Sequence, residues 1–476
     1  MTQASAPSLM MVLALSIGLT AGSIMAVGPV NLYAATPVTA PCESLYKKKA
    51  VPANTLQALV RAHERWMVYR SNPESSRAEL CQADLSRAML AGANLERAQL
   101  EGAVLRQANL HQANLAQASL AEADLSKSAL DYSILSGADL RRATLTGANL
   151  FRAIGDEAAL FNAILVGARL REATFERAQL EGADLTSADL TDGTFVDAYF
   201  YGATMQGANL SNTDLSGADL RRTILTKANL YRANLQGALL DSARLDNAQL
   251  IEADMESAYL DEANLRGANL REAILRGADL RYAALQGANL SHTDLEGANL
   301  EQARLVKATL QLAKLRMAIL YHAELDEADF RNARLNRAVL IGARGSRVNF
   351  TKADLSEIYA PKASLRQSQF NGADLESANF VEADLSGSNF TTANLTHANL
   401  QEANLRNAAL VKTDLTGARL GSADLHGADL RGATLTSVTG LTQTQLDSAC
   451  VDERTTLPSE LNRPAPCSPV KKRTKP

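Results

Sequence analysis

A chain of 476 residues with 5% aromatic residues and one tryptophan has ample apolar content, but not the aromatic-rich core of a large globular enzyme. Its 48 basic and 52 acidic residues leave a net charge of -4, so no nucleic-acid partner is expected. None of its four cysteines has the CxxC spacing of a zinc site, and no metal, other cofactor or small-molecule substrate is expected.

The first element is the apolar run LMMVLALSIGLTAGSIMAVGPV, residues 9–30, uncharged over 22 residues. It is too long for an ordinary signal-peptide core and just long enough to span a bilayer. Residues 1–35 therefore read as a membrane-targeting segment, an uncleaved hydrophobic helix being favoured over a cleaved signal. Gly18 and Gly22 form a GxxxG pair of the kind that dimerises anchors, although small residues are frequent here. Lys47 to Lys49 follow the apolar run, and the positive-inside tendency would keep the rest of the chain cytoplasmic. The placement of the cysteines argues the opposite, and the extracytoplasmic side is favoured.

Residues 36–77 read as an N-terminal cap. Within them NTLQALVRAHERWMVYR, residues 54–70, offers Asn54 as a helix N-cap. Leu56, Leu59, Val60, His63 and Trp66 or Met67 recur at helical spacing.

From Leu80 to Leu435 every fifth residue is apolar or glycine, about 72 units in one unbroken frame. The residue two before it is alanine or another small or β-branched residue. A five-residue step spreads these leucines around a helix and flips them across a strand, so neither element buries them together. They share one core only if the chain turns a corner in each unit, as in a β-solenoid. Phe330, Phe350, Phe370 and Phe390 recur at intervals of 20, as do Phe175 and Phe195, which predicts four units per coil and stacked rings. Gly155 lies 20 residues before Phe175 and Ala360 lies 20 before Phe380, which predicts that a missing side chain sits beside an enlarged one.

Units such as ADLTSADL, residues 183–190, and ANLRGANL, residues 263–270, resemble those of pentapeptide-repeat proteins. The resemblance implies an all-β fold, a right-handed quadrilateral parallel β-helix, over residues 78–438. About 18 coils at ~4.8 Å would make a rod of roughly 85 Å. It also implies that the His-x-x-Trp helix, with His63 and Trp66, packs on the start of the array. Function is less specified by the resemblance, since many members have no known activity and some inhibit DNA gyrase by presenting an acidic rod. A matching rod of ~85 Å would need about 50 net negative charges, far more than this chain carries.

Residues 439–476 read as the C-terminal cap and a basic tail. Thr442 and Gln445 have the spacing of a capping box, with Leu441 and Leu446 placed as a hydrophobic staple. Cys42 and Cys81 flank the first cap and Cys450 and Cys467 the second, so two disulfides stapling the ends are expected of an exported protein, and free thiols of a cytosolic one.

No nucleophile elbow, phosphate loop or dinucleotide fingerprint occurs, and the chain does not read as an enzyme. Outward residues sorted by side concentrate tyrosine on one side: Tyr199, Tyr201, Tyr259, Tyr282, Tyr321 and Tyr359, joined by Phe161, Ile319, Val339, Ile341, Pro361 and Val381. This pattern fits a surface for a protein partner, a second copy or a membrane, and equally an aromatic ladder that stabilises neighbouring strands. Residues 331–352 hold five arginines, one lysine and no acid, so Arg334, Arg337, Arg344 and Arg347 are candidates for an anion patch, with a diffuse solvated surface as the alternative. The expected function is a non-enzymatic scaffold of the cell envelope. The alternative is a cytosolic inhibitor, of the DNA-mimic type, of an enzyme such as gyrase.

Overall fold

The computed structural model describes residues 42, 44–69 and 76–464. The chain divides into two compact units, Met1–Cys42 and Glu43–Pro476. The expected apolar helix and most of the basic tail lie outside the described residues, as does Cys467. Among the described residues no helix is long and apolar enough to cross a membrane.

The five-residue period becomes one side of a square coil. Parallel bridges join residues 20 apart without interruption, from Glu79↔Gln99 to Arg419↔Thr439. Four sides stack in columns: the first through Glu79 and Gln99, the second through Asp84 and Val104, the third through Met89 and Asn109, the fourth through Asn94 and Asn114.

A unit with Asp or Asn before its leucine can use all five of its N–H groups. In the unit Ala83-Asp84-Leu85-Ser86-Arg87, Leu85 and Arg87 donate to the next coil, at 2.7 and 2.8 Å, and Ala83 donates back to Leu80 at 3.1 Å. Asp84 donates backward, here to Lys49, and the fifth group, Ser86 N–H, donates to the Asp84 side chain at 3.0 Å. The recurrent Asp or Asn before each leucine is thus an Asx turn that serves the corner. The second corner residue has positive φ in every unit from Gln82 to Ser437, the signature of a type II turn. Most of these residues are not glycine, so the ladder holds backbone that L-residues resist. Removing one corner acceptor tests its worth. Asn389→Ala, which strips Thr391 of its 3.0 Å backbone and 2.7 Å hydroxyl bonds, should cost about 1 kcal/mol by denaturant melting.

The leucine column is buried throughout, and the small residues beside it are buried from Ala98 to Ala433. The expected stacks form: Phe330, Phe350, Phe370 and Phe390 follow one another at 5.0, 5.0 and 4.6 Å, and Phe175 lies 5.9 Å from Phe195. Size compensation is direct. A Cβ on Gly155 would lie 2.2 Å from the Phe175 ring, and one on Gly345 would lie 2.7 Å from Val348, which replaces the usual alanine.

Helix α1, Ala53–Val68, begins two residues earlier than Asn54 would allow as N-cap. Pro52 holds that position without a side-chain bond, and Asn54 instead accepts from Thr55. Leu56, Val60 and His63 are its buried residues. The His63 ring accepts Ala78 N–H at Nδ1, 3.1 Å, so Nε2–H donates to the Glu96 carbonyl at 2.9 Å. Stacked at 5.4 Å on Trp66, the neutral ring docks the helix on the first coil, and burial holds its pKa below the ordinary value. At the other end α2, Gln443–Asp447, carries the expected capping box from Thr442 and Gln445. The Gln445 amide also donates to the carbonyls of Leu420 and Ala423, and Leu446 is fully buried.

Candidate functional site

The first side is the candidate surface. Tyr199, Tyr259 and Tyr359 stand in its bridge column, while Tyr201, Tyr282 and Tyr321 occupy the corner that follows it. Five of the six are at least 39% exposed, and Tyr321 is half-buried. They do not form one ladder. Asp219 and Leu239 separate Tyr199 from Tyr259, and no two of the six rings pair with each other among the described residues. Tyr201 lies under the guanidinium groups of Arg221 and Arg222, each at 5.8 Å, and Tyr321 packs on His322 at 4.1 Å.

Two chemically different stretches result. From Glu181 to Arg281 the corner is charged. Arg221 grips Asp219 and Arg281 grips Asp279 through paired bonds, while Glu181, Asp241 and Asp261 have no such partner among the described residues. Burial pushes the Glu181 carboxyl up to about 7, and the Asp219 charge adds to the effect. Burial raises Asp241 and Asp261 as well.

From Ile319 to Val381 the same side is apolar. Ile319, Val339 and Tyr359 are successive bridge partners, and Tyr321, Ile341, Pro361 and Val381 line the adjoining corner. At Ile319, Val339 and Tyr359 apolar residues replace Asp and Asn, so the corner N–H loses its Asx acceptor, whereas Val381 N–H keeps Asn379 at 3.1 Å. At Tyr359 the loss is met by Pro361, which has no N–H to satisfy. Met317, 52% exposed on the preceding corner, extends this patch and was not singled out by a search for tyrosine.

A second exposed patch also escaped that search. Ile134 and Ile154, 40% and 42% exposed, are bridge partners on the fourth side. Beside them Tyr132 meets Phe151 edge to face at 5.5 Å, and the Arg152 guanidinium lies 5.2 Å from the Phe151 ring. The signal was present in sequence, as isoleucine in two Asx slots 20 residues apart.

The four arginines are not brought together. Arg334 lies on the fourth side, Arg344 on the second, and Arg337 and Arg347 on two different corners. Arg337 is bound to Glu357 at 3.0 Å and Arg347 to Glu327, so two of the four are in ion pairs and the four do not make one patch. Cys42, Cys81 and Cys450 are each disulfide-bonded. No three His, Cys, Asp or Glu side chains among the described residues converge as a metal site.

The model of pentapeptide repeats matches residues 76–107, 108–147, 156–192, 195–230, 228–267, 258–297, 283–321, 323–358, 362–396 and 398–436. The chain belongs to the pentapeptide-repeat family. Among solved pentapeptide-repeat structures it is similar to HetL, involved in heterocyst differentiation regulation in the cyanobacterium Nostoc sp. strain PCC 7120. Identity is 37%, over 47% of this chain and 88% of HetL, with a TM-score of 0.29. A pentapeptide-repeat protein of the Arabidopsis thaliana thylakoid lumen is 28% identical over 26% of this chain and 70% of its own, TM-score 0.14. QnrB1, a plasmid-mediated fluoroquinolone resistance protein, is 15% identical over 47% of this chain and 90% of its own, TM-score 0.19. No curated protein matches.

Proposed function

We propose that this pentapeptide-repeat chain is a non-enzymatic scaffold of the cell envelope that holds a protein partner on the first side of its coil stack, between Ile319 and Val381. The observation that carries the reading is continuity: Ile319, Val339 and Tyr359 follow one another in the bridge column with an apolar corner beside them. Exposed apolar area of this kind, with tyrosine hydroxyls at its rim, is what partner surfaces use. The uncharged run of residues 9–30 and the disulfide-bonded Cys42, Cys81 and Cys450 support an exported or anchored protein in an oxidising compartment. Charge does not favour mimicry of DNA, since ion pairs such as Arg232–Glu252 at 2.7 Å and Arg304–Glu324 at 2.9 Å neutralise acids along the stack.

Changing Ile319→Thr, Tyr321→Ser and Tyr359→Ser together should lower partner recovery from membrane extracts at least tenfold. The melting temperature should stay nearly unchanged, because Ile319 and Tyr359 are exposed and the half-buried Tyr321 lies outside the core. Unchanged recovery and unchanged oligomeric mass would overturn the reading. The intact mass of the unreduced native protein, taken with its membrane fractionation, tests the compartment independently.

A further inference from the structure

At the N-terminal end of the coil stack the second side is paired by an added strand, the first and fourth are each engaged at one group by His63, and the third has neither among the described residues. On the first side His63 takes Ala78 N–H. On the second, residues 47–51 act as an added strand: Lys48 N–H bonds Gln82 at 2.7 Å, Asp84 N–H bonds Lys49 at 3.0 Å and Val51 N–H bonds Asp84 at 3.2 Å. Ala78 and Ala83, the small residues beneath, are 1% and 0% exposed.

On the third side no such cover is present among the described residues. Met89 N–H and the carbonyls of Met89 and Ala91 have no hydrogen-bond partner among the described residues. One coil further on, the equivalent groups are all used: Asn109 N–H bonds the Ala88 carbonyl at 2.8 Å, while the carbonyls of Asn109 and His111 accept from Leu90 and Gly92 at 2.7 and 2.8 Å. Met89 is 72% exposed, and Ala88 and Ala93 are only partly buried, unlike the alanines of the inner coils. Between this edge and α1 runs a groove of about 550 Å³, walled by Leu56, Gln57, Val60 and Arg61.

We propose that this edge binds an extended peptide of another protein as one more parallel strand. The open groups set its requirements: one carbonyl, then N–H groups two and four residues later, as Ala88, Leu90 and Gly92 present them to the coil above. The floor of Ala88, Leu90 and Ala93 asks for small and apolar side chains on the inward face, the pattern of the repeat itself, while Gln57, Arg61 and Glu64 on the helix wall accept polar ones beside it. Main-chain pairing would supply affinity and the groove selectivity, as in other cases of strand addition to an exposed edge. The C-terminal end of a second copy does not fit, because its own third and fourth sides are already bridged by Cys450 and Thr456. An uncovered edge is otherwise a liability that proteins avoid.

The probe is a fluorescein-labelled peptide copying residues 107–113, QANLHQA, added to the full-length protein and followed by anisotropy. Saturable binding is expected, weakened about tenfold or more by Met89→Pro, which deletes one edge donor and leaves a peptide carbonyl unpaired. That N–H has no partner among the described residues, so the variant should melt as the parent does. Hydrogen exchange gives a second readout that needs no variant: the Met89 amide should exchange freely alone and become protected when peptide is added. Absence of saturable binding, equal binding by the proline variant, or a Met89 amide already protected without peptide would each overturn the proposal.

Discussion

Gly155→Leu is expected to open the coils around residue 155, and Phe175→Leu in the same chain to close them again. The Phe175 ring occupies the space where a leucine at 155 would stand, with ring carbons 2.2 to 2.6 Å from the site of a Cβ. Backbone conformation is no obstacle, since Gly155 does not have positive φ. Overpacking a filled core costs roughly 1–3 kcal/mol and more where a ring cannot move, and Phe175 is held by Phe195 at 5.9 Å. Phe175→Leu alone leaves a void beside Gly155 and should cost on the order of 1–2 kcal/mol. The double variant restores the pattern of the neighbouring coils, so the two effects should cancel with a coupling of at least about 2 kcal/mol. Global melting is a blunt measure for a long array, in which cooperativity breaks down. Hydrogen exchange of the Phe175 and Leu135 amides, which bond the coils on either side, measures the local opening. Additive losses would show that the two positions do not share one site in the core.

That experiment rests on a relation legible in sequence, because a strict repeat makes each exception point to its neighbour. Gly155 and Phe175 differ from the leucine expected at each and lie one coil apart, so the period alone placed them together. The same logic located the phenylalanine stacks. The capping box at Thr442 was legible because its chemistry is local. Asn54 was misjudged for a related reason: proline, with its φ preset, starts α1 without a side-chain cap, and a preference for Asn could not outrank it. The Asx corners were visible as a recurring Asp or Asn, but their purpose is a hydrogen bond two residues along the chain, and composition alone reads such residues as solvated surface. The arginines failed as a site because nearness along a solenoid chain is not nearness in space. Four residues spread over 14 positions pass around most of a 20-residue coil, and each meets whatever lies one coil above or below. The same geometry explains why Ile134 and Ile154, 20 apart, form one patch.

Glu181 makes the local stability of its own corner fall as pH rises. Burial raises its carboxyl to about 7 from an ordinary 4.5, the Asp219 charge pushes the same way, and one of its oxygens has no hydrogen-bond partner. Nearby Arg221 is engaged by Asp219 at 2.6 Å and does not offset this. An acid whose folded pKa is raised keeps its proton longer in the folded chain than in the unfolded one. The folded state is therefore favoured below pH 4.5, and the advantage is lost as pH rises toward 7. Asp241 and Asp261, raised by burial on the same corner, act in the same sense. His63 opposes them at the N-terminal end, since its lowered pKa makes acid unfavourable below about 6.5. The two contributions separate by position in the stack. Glu181→Gln should slow hydrogen exchange of the amides that bond this corner, Asn162 to Glu181 and Gly182 to Tyr201, at pH 8 by the equivalent of about 1–2 kcal/mol. The full shift is discounted because the group is partly exposed and the amide that replaces it must also be solvated. At pH 4.5 parent and variant should exchange alike at this corner, whereas the first coil, docked through His63, should loosen in both. A variant that gains nothing at pH 8 would mean that Glu181 is solvated and titrates as an ordinary carboxylate. The pH response of this corner would then fall to Asp241 and Asp261.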